Sequence, residues 1–208
     1  MLLVFNFTKK NIFLSLLLVL WMPVAEAFLP SAFRCQFTQE EKSLVSGKIK
    51  KSEGQIEYRQ PGRIRFEIMK PHQIIFVGNP KRTWYYTAPP FDGEPGEVTI
   101  SNGAQHPILK FFDVLSKGLV KNESYDVTKK DGIVTLTFTK AAKEEFGLKS
   151  AVLTMGQDYT FLGLNKISVT LSDGKTIELF LTELKPNVAL PETVFRFEIP
   201  ANTRQNRQ

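Results

Sequence analysis

An apolar–polar period of two runs through most of this chain and constrains its fold more than any other feature. In Gly62-Arg63-Ile64-Arg65-Phe66-Glu67-Ile68, the residues Ile64, Phe66 and Ile68 share one face while Arg63, Arg65 and Glu67 share the other. Ile133-Val134-Thr135-Leu136-Thr137-Phe138-Thr139 sets Val134, Leu136 and Phe138 against three threonines. Ile167-Ser168-Val169-Thr170-Leu171, Thr176-Ile177-Glu178-Leu179-Phe180-Leu181 and Phe195-Arg196-Phe197-Glu198-Ile199 continue the pattern. Successive side chains of a strand point to opposite sides, so each segment reads as a half-buried antiparallel strand. Asp131-Gly132 and Asp173-Gly174 stand between alternating runs, where tight primed turns need positive φ; Gly54, Asn102-Gly103 and Gly156 punctuate other strand ends. The spacing predicts about eight to eleven short strands in a meander that is apolar on one side.

One segment breaks the period. After His106-Pro107, residues Ile108, Phe111, Phe112 and Leu115 recur at i, i+3, i+4 and i+7, and Gly118 follows, which predicts a short amphipathic helix. Ala141-Ala142-Lys143-Glu144-Glu145 is rich in helix formers but short for an independent helix. The tail, residues 201–208, is polar and is expected to fray. The picture is one large sheet with little helix to cover it, and a sheet that long must curl. A curled sheet with a greasy concave face either packs solid or encloses a cavity. The chain carries 17 Phe, 5 Tyr and 2 Trp, with a dense corner at Trp84-Tyr85-Tyr86 and Pro89-Pro90-Phe91. Side chains this large under one good helix favour an apolar pocket.

At the N-terminus, Lys9-Lys10 precede the apolar run Ile12 to Trp21, and Ala25-Glu26-Ala27 follows. This is the pattern of a signal peptide over residues 1–27, with residues 28–208 as a single domain; the alternative is an uncleaved anchor. Cleavage after Ala27 removes Lys9, Lys10 and Glu26 and leaves 25 basic against 20 acidic residues, a net charge of +5. The basic residues alternate with apolar ones rather than forming a stripe, so no nucleic-acid partner is expected. Cys35 is the only cysteine, so no intramolecular disulfide can form. The bulky and charged Phe33-Arg34 before it does not fit a lipidation signal, and the mature chain is read as soluble. His72 and His106 stand apart from each other and from Cys35, which gives no metal-ligand spacing. No nucleophile elbow, dinucleotide fingerprint or P-loop occurs, and Glu144-Glu145 are neighbours that point apart on a helix. The chain is therefore read as a binding protein, with no enzyme activity and no cofactor.

An ordered set of motifs resembles the family of periplasmic outer-membrane lipoprotein carrier proteins, LolA. Phe33-Arg34-Cys35-Gln36-Phe37-Thr38-Gln39 resembles that family's first strand with its Phe-Thr-Gln ending. Gln60-Pro61 with Ile64-Arg65-Phe66, the stretch from Pro71 through Ile74-Ile75 to Trp84-Tyr85-Tyr86, and Val194-Phe195-Arg196-Phe197-Glu198-Ile199-Pro200 follow in family order. The resemblance implies a mainly β, unclosed antiparallel barrel (a half-barrel) with a convex polar back and a short lid helix over an apolar concave face. It implies a periplasmic, monomeric carrier of acylated lipoproteins, which receives them from an inner-membrane ABC-type lipoprotein-releasing complex and delivers them to an outer-membrane acceptor. On it, the expected lipid-binding residues are Ile64, Phe66, Ile68, Trp84, Tyr86, Leu136 and Phe138 of the sheet, with Ile108, Phe111, Phe112 and Leu115 of the helix. Two positions depart from the family. Its lid-latching arginine falls on Gln60, with Arg59 expected to face away. Only residues 28–32 separate the cleavage site from Phe33, so the family's N-terminal helix is missing unless the signal segment is retained. A carrier or sensor of another amphiphile, or a solidly packed β interaction module, is the alternative on the same strands.

Overall fold

The computed structural model of the chain describes residues 27–43, 47–103 and 106–207. The expected signal peptide, apart from Ala27, lies outside them. The described strands are β1 (Ala32–Lys42), β2 (Ile49–Arg59), β3 (Arg63–Lys70), β4 (Ile74–Gly78), β5 (Arg82–Thr87) and β6 (Gly96–Asn102). After helix α1 (Pro107–Leu115) come β7 (Tyr125–Lys130), β8 (Ile133–Phe138), helix α2 (Lys140–Phe146), β9 (Leu148–Thr154), β10 (Lys166–Leu171), β11 (Thr176–Pro186) and β12 (Thr203–Arg207). They form one 12-stranded sheet in the order β12-β6-β5-β4-β3-β2-β1-β11-β10-β9-β8-β7. Its edges, β12 and β7, do not pair, so the barrel is unclosed.

The curl follows from how the apolar face is buried. Helix α1 reaches β1 and β2 through Phe112, whose ring lies 5.8 Å from Phe33 and 5.7 Å from Tyr58. It reaches β8 through Phe111, 6.5 Å from Phe138, and β4 through Leu109, which packs against Gly78. One helix touches strands on both sides of β1, so the sheet wraps round it. Cross-strand register sets which residues face inward: Phe33, Tyr58, Ile64 and Gly78 stand side by side, as do Cys35, Ile56, Phe66 and Phe76. Gly54 of β2 lies where any Cβ would come within 2.1 Å of the Glu67 carbonyl oxygen and 2.5 Å of the Phe37 ring. That gap lets Phe37 stack on Phe66 at 4.6 Å.

Several expectations are corrected. The strands among the described residues number twelve, because the tail does not fray: β12 pairs in parallel with β6 and satisfies backbone groups of β6. Residues 195–199 form no ladder. A 3-10 turn at Glu192–Phe195 precedes an extended stretch whose Phe197 and Ile199 cover a second apolar cluster on the convex side, built from Ile75, Val77, Tyr86, Val98 and Ile100. The back of the sheet is thus partly greasy rather than polar throughout. Asp131 and Gly132 both have positive φ (49° and 75°), as a primed turn requires. In the Asp173-Gly174 turn only Gly174 does (88°), and the amide of Leu171 bonds to the carbonyl of Lys175, which makes this a three-residue turn with a glycine bulge. The short segment around Ala141 does become α2, because Thr139 caps it and Gly147 ends it in the left-handed conformation.

Candidate functional site

The site is the space between α1 and the curled sheet. Pro107 opens the helix, and the His106 side chain serves as N-cap, its Nδ1 accepting from the Ile108 amide at 3.3 Å. The imidazole lies 3.9 Å from the Phe76 ring. Burial pushes its pKa down to about 4, so it stays neutral and can keep accepting. Leu109, Phe111, Phe112, Val114 and Leu115 are buried in the core, while Ile108 is half-buried.

Between this helix and the sheet lies a cavity of about 340 Å³. Its walls come from β3 and β4 (Phe66, Ile68, Ile74, Phe76), from β10 and β11 (Val169, Leu171, Ile177, Leu179), and from Ile108, Phe111 and Phe112 of α1. Gln39, Tyr85, His106 and Leu148 complete the lining. Of the residues expected to bind lipid, Phe66, Ile68, Ile108, Phe111 and Phe112 stand on these walls. Ile64, Leu115, Leu136 and Phe138 belong to the same core but pack solidly below the cavity. Trp84 and Tyr86 are on the wrong side of the sheet. Register pairs them with Val77 and Ile75, whose side chains point to the convex cluster, whereas Tyr85 pairs with the inward Phe76. The walls from β10 and β11 went unassigned although their alternation was plain, because period alone does not say which face of a strand turns inward.

The lid is tied down at its C-terminal half by polar contacts that no local pattern announced. Asp113 of α1 accepts through Oδ1 from the Tyr58 hydroxyl at 2.7 Å and from the Gly62 amide at 3.0 Å. Gln60 donates from Nε2 to the Ser116 hydroxyl at 2.9 Å, and Ser116 donates in turn to the Asp113 carbonyl at 2.6 Å. Burial and the Asp113 carboxylate both hold the Tyr58 phenol far above its ordinary range, so it remains a donor. Arg59 points the other way, as expected, and pairs with Glu192 while lying over the Phe195 ring at 5.2 Å. On the lid's other flank, Lys110 pairs with Glu145 of α2 at 3.1 Å. Cys35 of β1 faces the core beside Ile56, 1% exposed, its thiol pKa pushed up to about 12 by burial.

The sequence also matches known proteins. Residues 30–198 match the model of a family described as outer membrane lipoprotein carrier protein LolA. A protein named outer-membrane lipoprotein carrier protein from Pseudoalteromonas translucida is 28% identical over 174 residues, 81% of this chain and 77% of that one. A protein of the same name from Dechloromonas aromatica is 27% identical over 171 residues, with the same shares covered. A third, from Methylobacillus flagellatus, is 22% identical over 174 residues, 82% of this chain and 80% of that one.

Proposed function

The chain belongs to the outer membrane lipoprotein carrier protein family, and on that premise we propose that it shelters the acyl chains of lipoproteins while they cross the periplasm. It takes them from an inner-membrane ABC-type releasing complex and gives them up to an outer-membrane acceptor. The observation that carries this reading is an apolar cavity roofed by an amphipathic helix that is held by only a few polar ties. No step of the cycle needs a bond to be made or broken.

The magnitudes favour a reversible exchange. A sixteen-carbon chain, fully desolvated, is worth about 12 kcal/mol at roughly 0.8 kcal/mol per methylene. A long acyl chain that extends along the apolar walls of the cavity displaces α1 from them. Lifting it uncovers five buried apolar side chains, at about 2 kcal/mol each a cost of about 10 kcal/mol. Cargo and lid compete for the same surface on nearly equal terms, so binding is protective without being irreversible. The ties at Asp113 and Gln60 then set how often the lid opens.

Native mass spectrometry of the protein isolated from the periplasm tests the proposal. Release of a triacylated or diacylated peptide is the expected result. A population devoid of acylated peptide, in cells with active lipoprotein export, would overturn it. Within the site, Phe112→Glu places a charge between cargo and sheet and is expected to abolish carriage; normal lipoprotein delivery by that variant would remove the cavity from the mechanism.

A further inference from the structure

Beside the acyl cavity lies a second, more polar hollow of about 250 Å³. The two are neighbours, with Gln39, Ile68, Ile74 and Tyr85 on the walls of both. The polar hollow adds Lys50 and Ser52 of β2, Glu41 of β1, and Pro71 and His72 of the turn after β3. Ser52 is 5% exposed and lines this hollow. The Gln39 side-chain amide and the Tyr85 hydroxyl bond to no side chain or carbonyl among the described residues. Lys50 stands opposite Glu41 in the register, but the Glu41 carboxylate pairs with Lys175 at 2.9 Å. The Lys50 ammonium is therefore left without an ionic partner among the described residues. Gln39, Lys50, Ser52 and Tyr85, all able to donate and one of them cationic, thus line a hollow beside the acyl cavity.

We propose that this hollow is a head-group subsite that takes the hydrogen-bond-accepting, preferentially anionic oxygens at the root of one acyl chain. It rests on the reading that the apolar cavity takes acyl chains, and adds that the chain enters in one orientation, tail toward Phe111 and head toward Lys50. A donor set of amide, hydroxyls and ammonium accepts carboxylate, phosphate or ester oxygens and rejects a quaternary ammonium, which offers no acceptor and repels Lys50. The Glu41 carboxylate on the same lining is neutralised by its pair with Lys175.

Isothermal titration of the purified protein with dodecanoate and with dodecyltrimethylammonium, equal in chain and opposite in head, tests this directly. Dodecanoate is expected to bind at least tenfold more tightly, and Lys50→Met, a change at an exposed position, is expected to bring the two within threefold. Equal affinities in the unaltered protein, or a preference that survives Lys50→Met, would overturn the subsite. Ile108→Asn, in the apolar wall, is expected to weaken both ligands alike. If it does so while the head groups are not discriminated, the cavity stands and the subsite falls. If neither ligand binds, or Ile108→Asn changes nothing, the acyl cavity itself falls and the subsite with it.

Discussion

Removing one oxygen atom, in Tyr58→Phe, is expected to loosen the lid while leaving its packing in place. The Tyr58 hydroxyl donates to the Asp113 carboxylate at 2.7 Å, and Tyr58 is completely buried. A hydrogen bond to a charged group contributes about 1.5–3 kcal/mol. Taking about 2 kcal/mol, its loss raises the population of lifted lids about thirtyfold, since ~1.4 kcal/mol is a factor of ten. The ring stays wedged between Phe33 and Phe112, 5.4 and 5.7 Å away, and Gly62 and Gln60 still hold the helix. The lid therefore remains shut in most molecules. The chain supplies its own reporter. Cys35, the only cysteine, is buried in the same core as the lid's Phe111 and Phe112, with its thiol pKa pushed up to about 12, so alkylation requires that it be uncovered. Labelling of Cys35 in Tyr58→Phe should run about thirtyfold faster than in the unaltered protein, with a urea dependence clearly shallower than that of global unfolding. The shallower slope marks local opening, which exposes only part of the buried surface. A rate within twofold of the unaltered protein, or one that follows the slope of global unfolding, would refute the latch.

Three further outcomes follow from the same geometry. Gly54→Ala forces a methyl group into a carbonyl oxygen 2.1 Å away and into the Phe37 ring; it should cost about 3 kcal/mol or more, read as a lowered midpoint in urea. Trp84→Ala removes half-buried area from the convex cluster; it should destabilise by about 1–3 kcal/mol yet leave alkyl-probe affinity unchanged. His106 carries a pKa lowered to about 4 by burial, so the unfolded chain, with the ordinary value near 6.5, binds the proton first as pH falls. Its contribution to stability is full above about pH 6.5 and is lost as pH drops toward 4; between pH 7.5 and 5 the loss is about 2 kcal/mol. His106→Asn, which keeps a capping acceptor, should flatten that slope in urea titrations across the same range.

Why the lid contacts were invisible in the sequence while the sheet was not is a matter of range. Alternation is local and repeated, so Ile64, Phe66 and Ile68 announce a strand without reference to anything else. The helix is equally local: Pro107, the apolar spacing and the residues after Leu115 each act within a few positions. The latch is neither. Tyr58 and Asp113 lie 55 positions apart, and nothing near either one signals that β2 and α1 will meet there. Gln60, the position that departs from the family arginine, still reaches the lid through Ser116, a neutral bond in place of a charged one. The polar hollow was hidden for the same reason, since Gln39, Ser52 and Tyr85 come from three strands.

The misplacement of Trp84 and Tyr86 shows where pattern reading fails on the sheet itself. In Arg82-Thr83-Trp84-Tyr85-Tyr86-Thr87, both phases of the period place a large aromatic ring, so hydrophobicity cannot choose between them. The choice is made by β4, whose Ile74 and Phe76 belong to the cavity and whose Ile75 and Val77 belong to the convex cluster. Strand β4 is apolar on both faces because both faces are covered, one by α1 and the other by Phe197 and Ile199. The aromatic corner at β5 is therefore not one feature but two. Tyr85 turns toward the cavity and lines it together with Gln39, while Trp84 and Tyr86 fasten the C-terminal segment across the back of the sheet. That fastening holds β12 beside β6, so the edge presented there is the polar strand Thr203–Arg207 rather than β6.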